Sequence, residues 1–209
     1  MCAVPKLVDH EQRRAEIAEA LLRIAGTRGL HAASMREVAA EAGVSLRLVQ
    51  YYFHTKEELL LNGLTRLVDK LNERILDRIR KAGLPPTPRS ILYAALIGLL
   101  PTDEDSRRVQ LTLVAYQALM ISDPAFASRN FGTTPDKLEQ YLAGQIRLAQ
   151  EAGEIDADRD PAITATTLVA LTGGLVSSVI GGQRDGAAAE RVLRDHLDRL
   201  FTEQPEPSA

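Results

Sequence analysis

At 209 residues, with 45% apolar and 25% charged residues, the chain has the length and composition of one large or two small globular domains. A formal net charge of −3 excludes a strongly basic, nonspecific nucleic-acid coat. The single cysteine, Cys2, excludes an intrachain disulfide and a cysteine-built metal site. The charge is uneven: residues 1–56 hold eight Lys/Arg against six Asp/Glu, and the rest hold seventeen against twenty-two, so only the N-terminal part leans towards an anionic partner.

Strand-like alternation is scarce and helical periodicity recurs, so the expected fold class is all-α, with about nine to ten helices. Asp9 with Gln12 has the pattern of a capping box. It predicts a first helix to Arg28, with Ile17, Leu21, Ile24 and Ala25 on its apolar face and Gly29 as its stop. Ser34 with Glu37 opens a short second helix to Ala42, Gly43 stops it, and Ser45 caps a third that ends near Phe53. Thr55 with Glu58 opens a long fourth helix to about Lys81, with Leu60, Leu64, Leu67, Leu71, Ile75 and Ile79 down one side. GLPPTP at 83–88 reads as a loop whose Thr87-Pro88 is an N-cap followed by proline at the first helical position. The same device recurs at Asp123-Pro124, Thr134-Pro135 and Asp160-Pro161. These signals predict helices at about 88–100, 104–121, 124–130, 135–152, 161–181 and 187–201, and a disordered tail at 202–209.

Two stretches bear on location. Residues 161–183 carry no charge and are long enough for a bilayer. Their threonines, serines and four glycines make a buried helix at a subunit interface the better reading, and no membrane partner is expected. Residues 1–8 lack the apolar core of a signal peptide, which together with the lone cysteine fits a cytoplasmic protein.

The informative segment is SMREVAAEAGVSLRLVQYYFHTKEEL at 34–59. Two short helices meet at Gly43-Val44-Ser45, a turn tight enough to need the positive φ that glycine accepts. Val38, Val44, Val49 and Phe53 suit one small core with the first helix. The remaining face of the third helix then shows Leu46, Arg47, Leu48, Gln50 and Tyr51. A helix of this kind fits the major groove of DNA. Arg47 suits bidentate donation to guanine, Gln50 suits adenine, and Leu46 or Leu48 a thymine methyl. Tyr51, Tyr52 and Lys56 suit phosphate, as does Arg36 at the start of the preceding helix, where backbone N–H groups also favour an anion. Ser45 completes the candidate DNA-binding set.

GVSLRLVQYYFHTKEELL resembles the recognition-helix signature of TetR-family regulators, with matching spacing from Ile17 through Leu60. The C-terminal half, with LVALTGGLVSSVIGG before an amphipathic last helix, is similar to the BetI-type subgroup. Arg47 stands where the family often has Gly or Pro, and Gln50 where it often has Tyr. The resemblance implies a helix-turn-helix DNA-binding domain at 1–55 and a helical regulatory and dimerisation domain at 56–201. It implies a homodimer on a near-palindromic double-stranded DNA operator, with recognition helices roughly 34–36 Å apart. It also implies an unknown small-molecule effector bound among the later helices, which shifts the fourth helix. Tyr93, Leu96, Leu113, Tyr116, Gln117, Met120, Phe126 and Phe131 lie in the region where the family places its pocket. The family's dimer pattern falls on Leu168, Leu171, Leu175, Val179, Leu193 and Leu197, for which core packing and dimerisation are both open.

GxSxG, HExxH, the P-loop and GxGxxG are all absent. His10, His31, His54 and His196 are dispersed, with no metal spacing. No enzyme activity, cofactor or metal is expected. The alternatives are a helical DNA-binding or architectural protein without a ligand, and a helical enzyme outside these motifs.

Overall fold

A computed structural model of the chain describes residues 5–81, 86–128 and 134–201. Among these, the elements are α1 (Pro5–Arg28), a 3-10 turn (Leu30–Ala32), α2 (Met35–Ala42), α3 (Leu46–Tyr52), α4 (Lys56–Lys81), α5 (Pro88–Gly98), α6 (Glu104–Ser122), α7 (Pro124–Ser128), α8 (Thr134–Glu151), α9 (Pro161–Ile180) and α10 (Gly186–Leu200), with no strand. The all-α expectation is met. Phe131, part of the 83–88 loop and the tail at 202–209 lie outside the described residues.

The helices start where side chains satisfy their free N–H groups. Ser34 Oγ accepts from Glu37 N–H at 3.1 Å, and Ser45 Oγ accepts from Leu48 N–H at 3.2 Å. Asp160 accepts from the N–H groups of Ala162 and Ile163 at 2.7 and 3.0 Å. Caps of this kind contribute about 0.5–2 kcal/mol each. Thr87 and Ser90 form a reciprocal box at 3.2 and 3.0 Å. Two expectations are corrected. The first helix starts at Pro5, so Asp9 lies inside it; proline at the opening position needs no N–H and supplies a helical φ. After Gly29, a short 3-10 turn intervenes that the sequence pattern did not signal.

The chain forms two compact units: Met1–Lys70 with Leu111–Asn130, and Leu71–Gln110 with Phe131–Ala209. In the first, Ile17, Leu21, Val38, Val49, Phe53 and Leu59 are buried together with Tyr116 of α6. Gly63 of α4 makes that packing close. A Cβ there would stand 2.5 Å from Leu21 Cδ2 and 2.7 Å from the Tyr116 hydroxyl. The hydroxyl donates to Leu60 C=O at 2.8 Å, and burial pushes its pKa above the usual phenol range. The second unit has one continuous core, in which Leu92, Leu96, Leu142, Ile146, Leu168, Leu175, Leu193 and Leu197 are buried. Helix α9 is long and apolar enough to cross a membrane, yet Ala165, Leu168, Leu175 and Val179 belong to this core.

Candidate nucleic-acid interface

The α2–α3 junction is set by hydrogen bonding. Gly43 adopts φ 68°, ψ 30°; its N–H donates to Ala40 C=O at 3.2 Å and the Val44 N–H to Ala39 C=O at 3.0 Å. This pair of bonds closes the helix with a left-handed residue. A Cβ on Gly43 would meet nothing within 4 Å, so the backbone conformation, not space, calls for glycine. Val49 and Phe53 are fully buried and anchor α3.

What α3 leaves outside is polar. Arg47, Gln50 and Tyr51 are exposed, Tyr51 by 65%, as are Ser45 before the helix and Arg36 and Lys56 on α2 and α4. Leu46, Leu48 and Tyr52 are half-buried. The two leucines are less open than their sequence placement suggests: at about 100° per residue, Leu46 stands only about 60° around the helix from Val49. The charges sort in the same direction. Arg13 pairs with Glu16, Arg14 with Glu58, Arg23 with Glu41 and Arg28 with Glu37. Arg36, Arg47 and Lys56 have no hydrogen-bond or ion-pair partner among the described residues. Internal acids thus neutralise the arginines of α1 and leave three cations around the α2–α3 surface free to meet phosphate or base edges.

The sequence pattern missed three side chains that brace α3 from outside this surface. His10 of α1 packs against Tyr52 with the rings tilted and their centroids 4.7 Å apart, and Tyr51 meets Tyr52 edge-on at 5.2 Å. Arg14 donates to the Tyr52 carbonyl at the end of α3 and to Glu58 in the first turn of α4. Nothing in the spacing announces these contacts, because they join α1 to segments some forty residues away.

The regulatory candidates fall in both units. In the first, Tyr116 and Phe126 are buried, Leu113 and Met120 half-buried and Gln117 exposed. On α4 in the same unit, Asn62 Oδ1 and Arg66 Nε are buried with no hydrogen-bond partner among the described residues. In the second, Leu96 is a core residue and Tyr93 borders a cavity of about 570 Å³. That cavity is lined by Arg78, Arg89, Ile97, Glu190, Arg194 and Asp198 among others. Its wall is largely self-paired: Arg89 and the Tyr93 hydroxyl both donate to Asp198, and Arg194 pairs with Glu190. The Tyr93 bond, followed by Arg89, holds the Asp198 carboxyl below its ordinary pKa.

Of the two readings left open for the dimer candidates, core packing is the one visible within the single chain. Leu168, Leu175, Val179, Leu193 and Leu197 are buried in the core of their own unit and Leu171 is half-buried against it. The outward stripe of α9 is Ile163, Thr167, Ala170, Gly174 and Ser177, all exposed and uncharged. Both stripes repeat at helical spacing, and periodicity alone does not say which one a core takes.

Residues 17–62 match the model of bacterial regulatory proteins of the tetR family, and residues 88–202 match that of the C-terminal part of BetI-type transcriptional repressors. The chain belongs to the TetR family. The regulator PksA of Bacillus subtilis is 29% identical over 202 residues, 96% of this chain and 95% of that protein. BetI of Rhizobium meliloti is 35% identical over 197 residues, 88% and 97% of the two chains. A solved regulator from Saccharomonospora viridis in complex with choline superposes with a TM-score of 0.79 at 25% identity, covering 93% of this chain and all of the other. A Rhodococcus TetR-family structure reaches 0.81 at 24% identity, covering 92% and 100%, which speaks for the fold. This TetR-family protein is accordingly a DNA-binding transcriptional regulator, and the family and its relatives are regulators, not enzymes.

Proposed function

We propose that this cytoplasmic regulator is a repressor that binds a palindromic operator as a homodimer and is released by a small molecule. In this reading residues 1–55 form the helix-turn-helix DNA-binding domain, and residues 56–201 carry regulation and dimerisation. Helix α3 enters the major groove, with Arg47 and Gln50 on base edges and Leu46 or Leu48 against a thymine methyl. Ser45, Tyr51, Tyr52, Lys56 and Arg36 hold the backbone. The observation that carries it is the free set Arg36, Arg47 and Lys56 beside four acid-paired arginines. Two copies meet through the outward stripe of α9, with the leucines of α9 and α10 supporting it from within.

The effector reading draws on Asn62 and Arg66, four residues apart on one face of α4. Buried polar atoms without partners are rare in native folds and each calls for a partner, here an effector or water. Tyr93, Leu96, Leu113, Tyr116, Gln117, Met120, Phe126 and Phe131 remain the candidate ligand residues. The choline bound by the Saccharomonospora viridis protein supports an effector of small-molecule size, without naming it for this chain.

The test is selection of duplex fragments with the purified protein, followed by footprinting at a stated salt concentration. A two-fold symmetric site is expected. A well-folded dimer, stripped of any bound ligand, that selects no site would overturn the proposal.

A further inference from the structure

Helix α3 is held at its far end by a side chain outside the candidate interface. Arg14 of α1 donates through Nη1 to the carbonyl oxygen of Tyr52, the last residue of α3. The final carbonyls of a helix have no donor within it, so an outside donor at this position fixes where the helix ends. The same guanidinium lies 3.3 Å from Glu58 Oε1 in the first turn of α4, and its Cζ stands 4.4 Å above the Phe53 ring. The other Glu58 oxygen accepts the His54 N–H at 3.0 Å, inside the α3–α4 connection. One guanidinium–carboxylate pair therefore ties α1, the end of α3 and the start of α4 together.

This pair differs from its neighbours. The Arg14 side chain is 21% exposed, against 43% for Arg13, 55% for Arg23 and 50% for Arg28 in their ion pairs. Exposed pairs are worth little. Arg14 is better shielded, uses two donor directions and stacks on a buried ring, which is the geometry in which arginine fixes orientation.

We propose that Arg14 is a positioning residue for DNA recognition: through the Tyr52 carbonyl and Glu58 it sets the angle of α3 on α1 and makes that angle follow the first turn of α4. Arg14 touches neither base nor phosphate in this account. The proposal rests on the reading that α3 enters the major groove. It gives a displacement of α4 a direct route to the recognition helix, two bonds long.

The experiment uses full-length Arg14→Gln, Glu58→Gln, the double variant and Arg14→Lys. Each is titrated with the operator recovered by wild-type selection and with an unrelated duplex, over a range of salt. Each single Gln variant is expected to lose about tenfold in operator affinity, equivalent to ~1.4 kcal/mol. Affinity for unrelated DNA and the salt slope should stay unchanged, because the slope counts phosphate contacts. The double variant should be no weaker than the singles, because both break one joint. Arg14→Lys keeps the charge without the fork and should recover part of the loss. Amide exchange at Phe53 and His54 should quicken in both Gln variants. Unchanged operator affinity would overturn the proposal. So would a parallel loss on unrelated DNA with a slope lower by about one, the signature of a phosphate contact, or losses that multiply in the double variant. If Arg14→Gln loses its cooperative thermal transition, Glu58→Gln and Arg14→Lys carry the test, and full operator affinity in both would refute it. Failure of the groove reading is separate: it would appear as an Arg47→Ala variant with wild-type base preference.

Discussion

Helices α3 and α9 treat their side chains in opposite ways. Seven-residue α3 is held by Val49 and by Phe53 just beyond it, and turns Arg47, Gln50 and Tyr51 outward. Twenty-residue α9 has no charged residue, sinks its leucines into the core of its unit and shows Ile163 and small uncharged residues to solvent. An outward face with donors and acceptors at defined positions can discriminate among ligands by chemistry. A face of Ile, Thr, Ala, Gly and Ser carries no charge and few polar groups, and suits close approach of another surface. The first pattern suits nucleic acid and the second a copy of the same helix.

Within α9 and α10, the inward and outward stripes should respond to substitution in opposite ways. Leu197→Ala should cost about 2–5 kcal/mol by leaving a cavity in the core, measured by denaturant unfolding. Ala170→Arg, on the outward stripe, should leave the fold intact and give monomers by sedimentation. A folded Ala170→Arg dimer would refute the α9 interface. Next in size, Gly63→Ala should cost about 1–3 kcal/mol, because Leu21 and Tyr116 already occupy the space its Cβ needs. A neutral effect on the thermal transition would mean that the contact relaxes freely.

On the DNA side, Lys56→Ala should weaken all duplexes alike and lower the salt slope by about one. A loss confined to the operator would contradict its phosphate role. The smallest expected effect is one of pH. The Ser106 N–H, at 2.7 Å, and its hydroxyl hold the Asp103 carboxyl below its ordinary pKa. The folded chain then binds that proton less readily than the unfolded one. The stabilisation is present above the ordinary aspartate value and is lost as pH falls through the lowered one. Asp103→Asn should flatten the acid limb of the stability curve slightly. An equal shift at acid and neutral pH would rule out this origin.

Much of the fold was legible because it is written in local signals. Ser34, Ser45, Thr87 and Asp160 cap helices where their sequence context places them, and the left-handed Gly43 separates α2 from α3. The exposed polar face of α3 follows from the same local geometry. What escaped depends on distant pairing. The Arg14–Tyr52 bond spans 38 residues. Whether Leu168 or Ile163 faces inward depends on where α8 and α10 lie, which no residue of α9 encodes by itself. The unpartnered atoms of Asn62 and Arg66 likewise become visible only once their neighbours are packed around them.

The most direct test of the central claim is base preference. Wild-type protein and Arg47→Ala are compared on a library in which every position of the selected operator is varied, at one salt concentration. Arg47→Ala is expected to lose about 1–3 kcal/mol on the operator and to relax preference at one symmetric pair of positions, with the rest of the profile unchanged. An unaltered profile, or an even loss across all positions, would contradict base reading by α3.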